Sequence, residues 1–180
     1  MDKPILYSDC DGVILNTIEV AYNIMQEHGC NIRNREEVDR YFREFIDWKE
    51  LINKAEVINN ATGKLRYIKS SNIFDDVMIL TKISGGEVEE KSKIQLFNRL
   101  LPEIKVITLH VGQDKALVVP AAGNVLVDDE IGNCNSWRNQ NGEAVLFMPY
   151  MSSLENDIIC DLSELKYTAG VKKLTKTRNF

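Results

Sequence analysis

Apolar and polar positions alternate along the chain in blocks that predict strands and helices in turn. The run "PILYSD" (residues 4–9) is a short, continuously apolar strand that stops at an acid. Ile18, Ala21, Ile24/Met25 and His28 then recur at the spacing of one helix face, and Gly29 is the stop. From Asn34 to about Ile58 the pattern is helical throughout. Asn34 and Glu37 are set out as a capping box. Val38, Tyr41/Phe42, Phe45 and Trp48 form one stripe, and Leu51/Ile52, Ala55 and Ile58 a second. "NNATGK" (59–64) has turn chemistry.

"VMIL" (77–80) predicts a second buried strand ending at Thr81. Gly85 and Gly86 interrupt the chain. Val88, Lys91, Ile94, Phe97 and Leu101 then trace a helix with an acid-rich first turn. "KVITL" (105–109) is a third strand. "NVLVDDE" (124–130) is a fourth, and like the first it stops at acids. A helix over about 131–141 and a fifth strand, "AVLF" (144–147), complete the pattern, and "KKLTKTRNF" at the end is expected to be a solvated, frayed tail. Alternating strands and helices imply an α/β fold: a Rossmann-like parallel sheet with helices on both faces. Ligands of such sheets sit at the carboxyl ends of the strands. Asp9/Asp11, Thr81 and Asp128/Asp129 are expected to converge there.

The length of 180 residues suits one domain with a small inserted module. With 44% hydrophobic and 27% charged residues the composition is that of an ordinary globular protein. The net charge of −5 and the lack of a long basic run argue against duplex nucleic acid as a partner. Cys10, Cys30, Cys134 and Cys160 form no CxxC pair and no zinc spacing. No stretch has a signal peptide's pattern or the apolar length of a membrane span, so a cytoplasmic protein with reduced thiols and no membrane partner is expected. Oligomeric state is left open.

Four carboxylates meeting at one sheet edge would repel one another, since all are ionised at neutral pH in their ordinary state. A divalent cation with oxygen ligands removes the conflict. Mg2+ fits best, because it takes a few carboxylates and leaves room for a substrate phosphate. No His or Cys accompanies the acids, which disfavours zinc, copper or iron. With phosphate present, Asp9 can attack phosphorus and form an acyl phosphate. Asp11 can protonate the leaving oxygen and then deprotonate water. Gly12 lets the chain turn so that both acids reach one phosphate. Thr81 offers a hydroxyl and an N–H to phosphoryl oxygens, and either Lys115 or Lys82 supplies positive charge. His28 and His110 have no evident partner and are expected to be structural.

"SDCDGVILNT" resembles the first signature of the haloacid dehalogenase-like (HAD-like) phosphatases, "VMILT" their second motif, and "VLVDD" their fourth; Lys115 lies where their third-motif lysine would. The motifs follow the family's order and span most of the chain. "QDKALVVPAAGNVLVDDE" is similar to the corresponding segment of the 5′(3′)-deoxyribonucleotidases. The resemblance implies an α/β core over 1–17 and 72–180, with a helical cap inserted over 18–71. It implies Asp9 as nucleophile and metal ligand, Asp11 as general acid/base and a ligand through its main-chain carbonyl, and Asp128 and Asp129 as further ligands. Thr81, Lys115 and Gly12 would bind phosphate. Substrate specificity would lie in Asn16, Thr17 and the insert. The expected activity is magnesium-dependent hydrolysis of a phosphomonoester such as a nucleoside (deoxy)monophosphate. A sugar phosphatase and a non-catalytic phosphate-binding module are the alternatives, and a phosphotransferase would share the same motifs. A response-regulator-like receiver would run acid pair, aspartate, threonine, lysine; here the acid pair comes last.

Overall fold

The computed structural model describes residues 3–150 and 157–176. Six parallel strands form one sheet in the order β3-β2-β1-β4-β5-β6: β1 (Ile5–Ser8), β2 (Asp76–Ile83), β3 (Lys105–His110), β4 (Val125–Asp128), β5 (Glu143–Phe147) and β6 (Ile158–Ile159). The centre is in close register, with Leu6 opposite Val77 on one side and Val125 on the other. β1 and β4 are therefore neighbours, and the acids that follow them emerge side by side.

Each face of the sheet has its own core, as parallel strands buried on both sides require. Leu6, Val77, Ile79, Val125 and Val127 pack with Leu65 of α4 (Ala61–Ser70) and Phe97 of α5 (Gly86–Leu100). Tyr7, Leu80 and Leu126 face the other way. They pack with Ala116 of α6 (Lys115–Val118) and Trp137 of α7 (Ile131–Asn139), and the Tyr7 and Trp137 rings meet edge to face at 5.4 Å.

A third cluster lies apart from the sheet. Ala21 and Met25 of α1 (Thr17–Glu27), Val38 and Tyr41 of α2 (Arg35–Glu44), and Trp48 and Leu51 of α3 (Trp48–Lys54) pack on one another. Its two connections to the core run together. Leu15 bridges Val57, the Asn16 carboxamide accepts from the Glu56 N–H at 2.6 Å, and Ile58 N–H donates to Ile14 O at 2.9 Å.

Several expected elements differ. The unbroken helix over 34–58 is two helices, because the Asp47 side chain caps a new start by accepting from Glu50 N–H. The Asn34–Glu37 capping arrangement forms as expected. In "NNATGK" Asn59 and Asn60 do turn, with φ of 43° and 56°, but α4 starts at once at Ala61. That helix packs in the sheet's cluster rather than with the rest of the insert. β2 continues past Thr81 to Ile83, and Asn141, at φ 60°, lies beyond the end of α7. The final segment is not frayed over 172–176: α8 (Ala169–Lys176) is a helix whose Leu174 packs on the core, while 177–180 lie outside the described residues. No helix among the described residues is long and apolar enough to cross a membrane.

In α5 the expected face is buried at Phe97 and Leu101 but not in the first turns. Val88 is 58% exposed, while Glu89, Lys93 and Phe97 are buried at intervals of four residues. Phe97 anchors α5 to the sheet. Phe97→Ala is expected to cost about 3–5 kcal/mol through lost burial and a cavity, read as a lower urea midpoint at unchanged m-value.

Candidate active site

β1 ends at Ser8, and Asp9 keeps the sheet register for one more residue by donating its N–H to Val127 O at 2.8 Å. The chain then turns. Ile14 and Leu15 donate back to Cys10 O, and Gly12, at φ 73°, donates to Leu15 O. This turn places Asp9 against the end of β4. Oxygens of Asp9, Asp128 and Asp129 lie within 4.8 Å of one another. Asp128 is fully buried and fully engaged: Oδ2 accepts from Lys115 Nζ at 2.7 Å, and Oδ1 accepts from Glu130 N–H and Asn133 Nδ2 at 2.9 Å each. Asp129 is exposed as a residue, yet its carboxylate leans over Gly12. A Cβ added to Gly12 would stand 2.1 Å from Asp129 Oδ2.

Lys115 is buried between the strands, with Nζ 2.7 Å from Asp9 Oδ1 and 2.7 Å from Asp128 Oδ2. Burial alone would lower its pKa; the two carboxylates outweigh that and raise it. Lys82, the other candidate, reaches Asn133 Oδ1 at 2.7 Å and lies 3.7 Å from Glu130 instead. Lys115 is the lysine that touches Asp9. Asp9 Oδ1 has the Lys115 ammonium as its ion-pair partner and no further hydrogen bond in a buried place. Burial, with the charges of Asp128, Asp11 and Asp129 adding to it, pushes Asp9 up to about 8 despite Lys115. Burial and Asp128 push Asp129 up to about 7.

Asp11 stands outside this trio. Its Oδ1 accepts from Thr17 Oγ1 at 2.7 Å, and its Oδ2 lies 2.6 Å from Lys93 Nζ and 3.4 Å from Thr81 Oγ1. Burial would raise Asp11; Lys93 and Thr17 overcome that and hold it below the usual carboxylate range. Lys93 and Asn133 were not anticipated from the pattern. Lys93 sits four residues before Phe97 on one helix face, and that spacing was the available signal. Asn133 carried none.

A cavity of about 650 Å³ opens over these groups. Asp9, Asp11, Thr17, Lys82 and Lys115 line its floor, and Asp39, Phe42, Arg43 and Trp48 of the insert line its roof. Thr17 lines this cavity. Asn16 is committed instead to the linker. Trp48 packs so tightly over Gly85 that a Cβ there would lie 1.9 Å from its indole nitrogen.

Crystal structures similar to this chain decide what architecture it has. YfnB from Bacillus subtilis, described as a magnesium-bound HAD-hydrolase, superposes with a TM-score of 0.62 at 12% identity, over 93% of this chain and 98% of that one. The fold is that of the HAD-superfamily hydrolases. A subfamily IA member from Geobacter sulfurreducens superposes at 0.59 with 16% identity, over 91% and 97% of the two chains. A haloacid dehalogenase-like hydrolase from Xanthomonas campestris reaches 0.60 with 14% identity, over 97% and 93%. No protein-family profile and no curated protein sequence matches the chain. HAD-fold proteins as different as a dehalogenase and a β-phosphoglucomutase-like chain from Bacteroides vulgatus also superpose, so the architecture leaves the reaction open.

The carboxylate trio fits a hard divalent cation. All donors are oxygens, Asp9 Oδ1 has only the Lys115 ammonium beside it, and no His or Cys belongs to the group. Two outcomes follow. Gly12→Ala forces the new methyl into Asp129 and requires a strained positive φ. It should weaken Mg2+ binding by about tenfold or more, the cost of displacing one ligand or its support, as measured by calorimetry. The raised carboxylates also set a pH dependence for the metal-free protein. Asp9 and Asp129 hold protons in the folded state at pH values where the unfolded chain, with pKa near 4, has lost them. Their contribution to stability is complete below about 4 and is lost as pH rises towards about 7–8. The melting temperature should decline across that range without Mg2+, and added Mg2+ should restore it most strongly at the alkaline end.

Proposed function

We propose that this HAD-fold chain is a magnesium-dependent phosphomonoester hydrolase working through an aspartyl phosphate. One observation carries the proposal. Asp9 belongs at once to a carboxylate trio suited to a divalent cation and to a lysine contact, at the floor of a cavity large enough for a small substrate. Asp9, Asp128 and Asp129 would hold the cation. When bound, it supplies positive charge that offsets the phosphate's own and lets an anionic nucleophile approach.

The chain's residues divide the remaining work. Asp9 attacks phosphorus as the ester oxygen departs, and a carboxylate must be ionised to do so. Lys115, charged and fixed between Asp9 and Asp128, favours that ionised form and the phosphoryl charge. Thr81, buried beside Asp11, offers its hydroxyl to the phosphoryl group. Asp11, ionised at rest beside Lys93, takes the proton of the attacking water in the second step, and the protonated carboxyl so formed is the one that gives a proton to the ester oxygen of the next substrate. Its presence separates the proposal from dehalogenation on the same fold. A halide leaves as a stable anion and needs no proton, whereas an alkoxide does.

The leaving group would meet the insert. Phe42 and Trp48 lie 6.0 Å apart at 30°, close to parallel, and both line the cavity with Arg43 at its rim. An aromatic wall with a nearby guanidinium suits a nucleobase, and a nucleoside (deoxy)monophosphate is the leading substrate. The polar lining by Asp39, Glu130 and Asn133 favours a hydroxyl-rich sugar phosphate as the second reading.

The chain should release inorganic phosphate from p-nitrophenyl phosphate only with Mg2+, and Asp9→Asn should abolish release. A folded wild-type protein that binds Mg2+ yet cleaves no phosphomonoester would leave the non-catalytic alternative standing. Among natural esters, nucleoside monophosphates should show the highest kcat/KM. Trp48→Ala should lower that value by about ten- to a hundredfold, the worth of one stacking contact, with less effect on p-nitrophenyl phosphate. A preference for sugar phosphates would overturn the nucleotide assignment.

A further inference from the structure

One buried cation has no part in the steps above. Lys93 is fully buried on α5 and does not line the cavity. Its Nζ lies 2.6 Å from Asp11 Oδ2 and 2.6 Å from Glu89 Oε1, with Lys82 O at 3.1 Å and Thr81 Oγ1 at 3.2 Å. Glu89 is tied down in turn. Its Oε2 accepts from the N–H groups of Ser84 and Gly85 at 2.8 and 2.6 Å. The loop leading into α5, the helix itself and the general acid are thus joined through one ammonium. Thr17, on the cavity floor, holds the other oxygen of Asp11, so both oxygens are engaged.

A purely structural role would be a costly use of this position. Taking an ammonium and a carboxylate out of water costs several kcal/mol per ion, and apolar replacements of similar volume often do as well or better for stability. Phe97, one turn on along the same face, shows that apolar packing is accessible there. What an apolar residue could not do is bind Asp11.

We propose that Lys93 is a positioning residue, holding the Asp11 carboxylate and the Thr81 hydroxyl in the geometry that proton transfer at the phosphoryl group requires. The proposal rests on the phosphatase reading. It bears hardest on the second half-reaction. Water attacks phosphorus, the bond from phosphorus to the Asp9 oxygen breaks with its electron pair returning to Asp9, and the water's proton passes to Asp11. Inorganic phosphate is released. If Asp11 swings free, that transfer fails first. In the first half-reaction a good leaving group such as p-nitrophenolate needs no proton.

Pre-steady-state release of p-nitrophenol with Mg2+ tests this. Lys93→Met should lower kcat by about a hundredfold, the scale of a lost acid–base contribution, with KM changed less than about threefold. It should also show a burst approaching one equivalent, because the aspartyl phosphate forms and then persists. In an Asp11→Asn background, Lys93→Met should cost less than about threefold more, since residues acting as one unit are not additive. Glu89→Gln leaves Lys93 in place but frees its anchor. It should show the same burst with a loss of about tenfold, and it serves if Lys93→Met does not fold. Multiplicative losses in the double variant, or no burst in either single variant, overturn the proposal while leaving a phosphatase. A wild-type chain without phosphatase activity overturns both readings.

Discussion

The structure is organised around a conflict of like charges. Three carboxylates, Asp9, Asp128 and Asp129, are brought within 4.8 Å of one another at the end of a buried sheet. Left to themselves they would stay protonated or push the strands apart. The chain answers in part with Lys115, which sits between two of them. One lysine cannot neutralise three acids, and the raised proton affinity of Asp9 and Asp129 expresses the remainder. A site that still lacks positive charge has a physical reason to take up a divalent cation and, with it, an anionic substrate.

The neighbouring acid is handled differently. Asp11 is only two residues from Asp9 in sequence, but the turn at Gly12 sends its side chain to another set of partners. Asp9 faces the carboxylates and is pushed up, while Asp11 faces Lys93 and Thr17 and is held down. Two aspartates of the same kind thereby sit in opposite electrostatic settings, and it is added positive charge at the trio that would bring Asp9 to its ionised form. The insert adds a roof rather than a reactive group. Its own small core and the Leu15–Val57 bridge between its linkers let it stand over the cavity as a unit, with Trp48 closing against Gly85.

Much of this was legible in the chain. Apolar runs ending in acids gave β1 and β4 and the residues that follow them, because strand length and burial are written locally. The capping pair Asn34 and Glu37 was equally local. Errors came where a short local signal was outweighed by a longer pattern or where tertiary packing overrode both. Asp47, a single capping side chain, split a helix whose apolar stripe looks continuous. The asparagines of "NNATGK" turned the chain, but Ala61, Leu65 and Ile68 then found the sheet, and a helix followed. β6 is two residues long, too short to leave a pattern. In α5 the apolar positions suggested a face through Val88, and the helix instead buried Glu89 and Lys93, because Asp11 and the Ser84–Gly85 N–H groups were there to satisfy them.

The sequence by itself determined the order of strands and helices and the acids and threonine at the strand ends, because each depends on neighbours a few residues apart. Only the tertiary structure decided which lysine meets which aspartate. Lys82 adjoins Thr81 in the chain yet turns to Asn133, while Lys115 and Lys93 arrive from distant helices to reach Asp9 and Asp11. Charge pairing acts through space and is governed by where a parallel sheet brings its edges together, which no local pattern records.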